Sequence, residues 1–171
     1  IADNPELHPD KNGPLRNSPI KAVVVTNADV DHIIGLINLR ERQAFAIYGS
    51  ERVLATLNAN SIFNVCAPDI VPRIPLALDK PVSLAGAGTD LGITIEPFAV
   101  PGKIALFLEQ GSASANYGSR DGDTIGLEIK DSKTDLMVTL DLQALFGKID
   151  TLLQAGTLKQ AVVVPFRSLL P

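Results

Sequence analysis

At 171 residues, with 46% hydrophobic and 20% charged side chains, the chain suits one domain with an ordinary core and is not a disordered polymer. Its net charge of -4, with Lys and Arg scattered along the sequence, leaves no basic stripe for nucleic acid, so a small-molecule or soluble partner is expected instead. A lone cysteine, Cys66, excludes an internal disulfide and fits a reducing compartment; with no apolar run near the ~20 residues that span a bilayer, no membrane insertion and a cytoplasmic setting are expected.

The chain opens at Ile1 without an initiator Met and stops at Pro171 just after a strand-like run, so it is expected to be part of a larger protein. Prolines at 5, 9, 14 and 19 fix φ and remove amide donors, which makes residues 1–19 an irregular lead-in. Ala22 to Thr26 is a continuous β-branched run, the pattern of a strand buried on both faces. A polar elbow from Asn27 to His32 leaves it. From Ile33, apolar residues recur at helical spacing through Leu39, with Arg40 and Arg42 where cations suit a helix C-terminus.

The unit then repeats. Ala44 to Tyr48 reads as a second buried strand, and Ser50 is the expected N-cap of a helix carrying Val53, Leu54 and Leu57 on one face. Two such units imply parallel strands joined by right-handed crossovers. Prolines at 68, 72, 75 and 81 break up the middle of the chain. Leu91 to Val100, Lys103 to Glu109, Thr124 to Lys130 and Leu136 to Leu140 then read as strands of a mainly antiparallel sheet, with Gln110 to Asp123 as a long loop. Leu142 to Leu153 has helical spacing, and Ala161 to Val164 is a last strand candidate.

Chemistry concentrates at the elbow, where Asn27, Asp29, Asp31 and His32 fall within six residues between a strand and a helix. Carboxylates and neutral imidazole are natural ligands for Fe(II), Mn(II) and Zn(II), and the carboxyl end of a strand is a common ligand position in α/β proteins. The same residues also fit a purely structural role, with Asp31 capping a helix that begins at Ile33 and Asp29 stabilising the turn. Both readings stand on spacing alone. Cys66 has no base beside it in sequence and reads as a packing residue, Ser112, Ser114 and Ser119 lack a nucleophile elbow, and Gly118 to Gly122 lacks the Lys and helix of a phosphate cradle.

The run Val25-Thr26-Asn27-Ala28-Asp29-Val30-Asp31-His32-Ile33-Ile34-Gly35-Leu36, followed by Asn38-Leu39-Arg40-Glu41, resembles the coenzyme PQQ synthesis protein B family of the metallo-β-lactamase superfold. Further landmarks agree in order: Pro5 to Pro9, Asn17 to Ile20, Ile62 to Val65 and Phe98 to Lys103, so that the likeness spans roughly residues 2 to 130. The resemblance implies an α/β fold, a partial metallo-β-lactamase-like αββα sandwich with mixed sheets. On that reading residues 1–171 form a single incomplete domain with a divergent tail at 135–171.

In register with the superfold's His-x-His-x-Asp-His signature this chain has Asn27, Asp29, Asp31 and His32, and the PQQ family departs from the signature in the same way. The resemblance therefore implies Asp31 and His32 as ligands of an iron (Fe2+) or zinc ion, with Asn27 and Asp29 as weaker candidates, and disfavours a di-zinc hydrolase. Lys103 falls where superfold hydrolases often have a metal-binding His, although a surface lysine beside a turn is the simpler reading. The family's cysteine-bearing, glycine-rich N-terminal segment and its later histidines are not found in this sequence, whose other histidine is His8 in the lead-in. Three functions follow from the resemblance: an iron-dependent hydroxylase acting on a glutamate-tyrosine-derived PQQ precursor, a carrier that helps PQQ or its precursor towards the periplasm, or a truncated remnant, inactive alone. Self-association is expected of an incomplete sandwich.

Overall fold

The computed structural model describes residues 7–100, 121–134 and 137–140. The strand reading at 103–109, the helix at 142–153, the strand at 161–164, the loop serines and Lys103 lie outside them.

Two sheets face each other. β1 (Ala22–Val25), β2 (Ala46–Ser50) and β3 (Arg73–Leu76) form a parallel sheet in that order. β4 (Val82–Gly86), β5 (Thr89–Ala99), β6 (Ile125–Asp131) and β7 (Met137–Leu140) form an antiparallel meander, also in chain order. Among the described residues, two helices belong to the parallel half, α1 (Val30–Ile33) and α2 (Glu51–Ala59), together with 3-10 segments at Ile34–Leu39 and Ser61–Val65.

The period of two along β2 sorts its side chains between layers. Phe45 and Ile47 join Val53, Leu54, Leu57, Phe63 and Val71 in a core beneath the helices. Ala46 and Tyr48 instead join Leu84, Ile95, Ile125 and Leu127 in a second core between the sheets. The order of layers is thus helices, parallel sheet, antiparallel sheet, as in a metallo-β-lactamase fold. Tyr48 also pins the two sheets by polar contact, since its hydroxyl donates to Ala85 O and accepts from Ala85 N, both at 2.9 Å.

Several local expectations hold. β1 and β2 pair in parallel, Ser50 Oγ accepts from Val53 N at 3.1 Å as the cap of α2, and Val53, Leu54 and Leu57 are buried on one face. Other details differ for physical reasons. The first helix starts at Val30, not Ile33, and continues from Ile34 as a 3-10 segment. Ile33, Leu36 and Leu39, spaced by three, turn inward together, which is the 3-10 period. Arg40 and Arg42 are not the last turn of an α-helix; Arg42 adopts φ 56° and pairs with Asp69 at 3.1 Å.

Two strands were hidden by their turn-forming residues. β3 carries Pro75, which is tolerated because β3 is the edge of its sheet among the described residues. β4 follows Pro81 and returns through a tight turn in which Ala87 (φ 52°) and Gly88 (φ 78°) both take positive φ, the geometry that matches strand twist in two-residue hairpins.

Candidate metal centre

The elbow is built where β1 leaves the parallel sheet and meets the start of β6. Thr26 O accepts from Ile125 N at 2.9 Å, and Asn27 forms an isolated antiparallel bridge with Thr124. Asn27 Oδ1 then accepts from Asp29 N at 2.9 Å, closing an Asx-type turn, and Asp29 O accepts from His32 N and Ile33 N at 2.9 and 3.1 Å to begin α1. These bonds fix the course of the elbow backbone from Thr26 to Ile33.

Asp29, Asp31 and His32 each offer a ligand atom, and these atoms lie within 4.8 Å of one another. Asp31 Oδ1 sits 3.3 Å from His32 Nδ1; the Asp31 side chain is 78% exposed and that of His32 29%. Donors bound to one ion at ~2.0–2.2 Å can be no more than about 4.4 Å apart. Small rotations of the exposed Asp31 and His32 side chains towards the half-buried Asp29 would close that difference. Two carboxylates and an imidazole are a donor set that suits a divalent transition ion, and three donors would leave positions for exogenous ligands.

The capping alternative is corrected by the same geometry. Asp31 lies inside α1 and is not its cap; the cap position belongs to Asp29, whose side chain makes no capping hydrogen bond. Asp29, ranked below Asp31 and His32 on sequence register, is an equal member of the donor group, whereas the side-chain oxygen of Asn27 is engaged within the turn. His8 is exposed and lines a cavity of 520 Å³ between the lead-in and the 3-10 segment, together with Asn17, Asn38 and Glu41. Cys66 is buried, with its thiol 3.3 Å from Leu36 O; burial pushes its pKa up, partly offset by nearby Arg73. It packs and does not act as a nucleophile.

A polar group beside the elbow was not visible in the sequence. Ser50 Oγ donates to Gly122 O while capping α2, and Arg52 Nε donates to Asp123 Oδ1. The partners are 72 and 71 residues apart, and no local motif links them.

The layers, the parallel half and an acid-rich elbow at the end of β1 define a metallo-β-lactamase-type domain, and the chain belongs to the β-lactamase superfamily domain family, whose model matches residues 1–162. Within it, the chain is similar to coenzyme PQQ synthesis protein B. It is 44% identical over 167 residues to that protein of Rhodopseudomonas palustris, covering 92% of this chain and 54% of the relative. The corresponding protein of Gluconacetobacter diazotrophicus is 48% identical over 132 residues, covering 77% of this chain and 42% of the relative. The chain spans about half the length of the curated relatives it matches. Zinc-bound PqqB from Methylobacterium extorquens superposes with a TM-score of 0.70 at 31% identity over 93% of this chain and 56% of that one. Unliganded yeast PDE1, with a TM-score of 0.58 at 14% identity over 88% of this chain and 46% of that one, shares the fold alone.

Proposed function

We propose that this chain serves PQQ biosynthesis by holding a divalent metal at the elbow, in a protein that hydroxylates the aromatic ring of a glutamate-tyrosine-derived precursor. Asp31 and His32 are the proposed ligands, Asp29 adds a third donor, and Asn27 holds the turn that presents them. The observation that carries this reading is the convergence of three ligand atoms within 4.8 Å on a partly exposed elbow. It is supported by likeness to curated proteins named for PQQ synthesis and to a structure of PqqB described as zinc-bound.

An iron ion held there would supply the redox chemistry of hydroxylation; zinc would not, being redox-inert. The chain's own residues provide the rest. Asp29 and Asp31 would offer carboxylate oxygens to the ion, and His32 an imidazole nitrogen. The exposed side of Asp31 leaves room for a small substrate to approach. Cys66, the single thiol, is buried and free, which fits a cytoplasmic setting. Among the described residues no helix is long and apolar enough to cross a membrane.

Anaerobic calorimetric titration with Fe(II) and with Zn(II) tests the site, on this chain and on an Asp31→Ala/His32→Ala variant. We expect binding to the former that the double variant loses, and absence of binding to the unaltered chain would defeat the metal reading. Oxygen consumption by the iron-loaded protein with precursor tests the reaction. Precursor binding without oxygen uptake would favour a carrier in its place.

A further inference from the structure

We propose that Arg52 and Asp123 form a positioning clamp for the metal elbow, a role that rests on the metal-binding reading above. Asp123 is nearly fully buried, its side chain 6% exposed, and Arg52 Nε donates to its carboxylate. A buried carboxylate without its cation is costly, so the pair holds the 121–124 turn against the start of α2. Ser50, two residues before Arg52, holds the same turn through Gly122 O.

The position of Arg52 is itself informative. It is the second residue of α2, where the helix dipole disfavours a cation. A positive charge there works against the helix and is explained by its partner across the chain.

What the clamp holds leads directly to the ligands. Thr124, next to Asp123, bridges Asn27, and Ile125 N donates to Thr26 O at 2.9 Å. Asn27 in turn accepts from Asp29 N. The path from Arg52 through Asp123, Thr124, Ile125, Thr26 and Asn27 to Asp29 consists of covalent or hydrogen-bonded steps. Neither Arg52 nor Asp123 is assigned as a ligand; both act by fixing where the elbow stands. Residues that orient metal ligands typically change affinity about 10- to 100-fold when lost.

The test uses the full chain with Arg52→Gln, Asp123→Asn and Arg52→Lys, and reads two quantities. Zinc affinity is measured by calorimetry, and amide hydrogen exchange is measured in metal-free protein at Asp29 and Ile125, with Ile47 as a reference in the parallel sheet. Arg52→Gln and Asp123→Asn are expected to weaken zinc about tenfold and to speed exchange at Asp29 and Ile125 while Ile47 stays unchanged. Arg52→Lys, which keeps the charge, is expected to recover most of both. Unchanged exchange at the elbow overturns the clamp, as does faster exchange with unchanged zinc affinity. A uniform rise in exchange that includes Ile47 also overturns it, since that describes general destabilisation. If the unaltered chain binds no zinc yet its elbow loosens selectively in Arg52→Gln, the metal reading fails and the clamp on the elbow is supported.

Discussion

At the scale of single residues, the elbow separates groups that hold the fold from groups left for chemistry. Asn27 Oδ1 satisfies Asp29 N, so Asn27→Ala is expected to cost about 1 kcal/mol in a denaturant titration, the net value of one such bond. Asp29 sits at the cap position without a capping bond, so Asp29→Ala is expected to change metal-free stability by no more than about 0.5 kcal/mol. A larger loss in Asp29→Ala than in Asn27→Ala would return Asp29 to a structural role. Cys66 carries a different signature. Burial raises its thiol pKa above the ordinary 9.0, with Arg73 opposing. The folded chain therefore keeps the proton more strongly than the unfolded chain, so this contribution to stability is full below pH 9.0 and is lost as pH rises through the higher folded value. We expect the stability difference between the unaltered chain and Cys66→Ala to narrow above that pH. A constant difference would show that the thiol is not held neutral by the fold. Asp31 and His32 could be read from sequence because they adjoin each other at a strand-to-helix junction. Asp123 could not, because what makes it significant is a partner 71 residues away.

Among the elements, those whose local signals agree with their packing were the legible ones. Ser50 before the apolar face of α2 marked the helix start, and its hydroxyl both caps Val53 N and reaches Gly122 O. Loss of both bonds in Ser50→Ala is expected to cost about 2 kcal/mol, at the upper end for a cap, read as a shift in the denaturation midpoint. An effect of a few tenths would mean that water replaces the hydroxyl. Elements whose local signals oppose their tertiary environment were missed: β3 because of Pro75 at a sheet edge, and β4 because its turn residues outweigh five strand residues. The 3-10 continuation of α1 was also misread, because a spacing of three and a spacing of 3.6 differ little over six residues. The β5–β6 pair shows packing that no single-strand pattern reveals. Phe98 faces Gly126 across the ladder, and a Cβ on Gly126 would fall 2.3 Å from the ring. Gly126→Ala is therefore expected to overpack this face and destabilise by about 1–3 kcal/mol. A neutral result would mean that the ring has a second place to go.

For the whole molecule, the division into a parallel and an antiparallel half followed from the sequence order of strand-helix units and then hairpins, because each half is built from neighbours in the chain. How the halves meet did not follow, since Tyr48 to Ala85 and Thr26 to Ile125 join residues far apart in sequence. The surface that results carries an unusual feature: Val30 and Ile34, one turn apart along the elbow, are 55% and 45% exposed, and Ile62 is 55% exposed. Single exposed apolar residues are ordinary, but two on one stripe beside a polar centre form a patch that association would cover. The net charge of -4 opposes association of identical copies, and salt screens that repulsion while leaving apolar burial intact. We therefore expect sedimentation to show self-association that strengthens as salt rises from low to roughly physiological concentration, where the Debye length is about 8 Å. Ile34→Lys should weaken it by interrupting the stripe without touching the buried cores. A monomer at all salt concentrations would leave Val30 and Ile34 as isolated exposed residues, and association insensitive to Ile34→Lys would move the contact to another face.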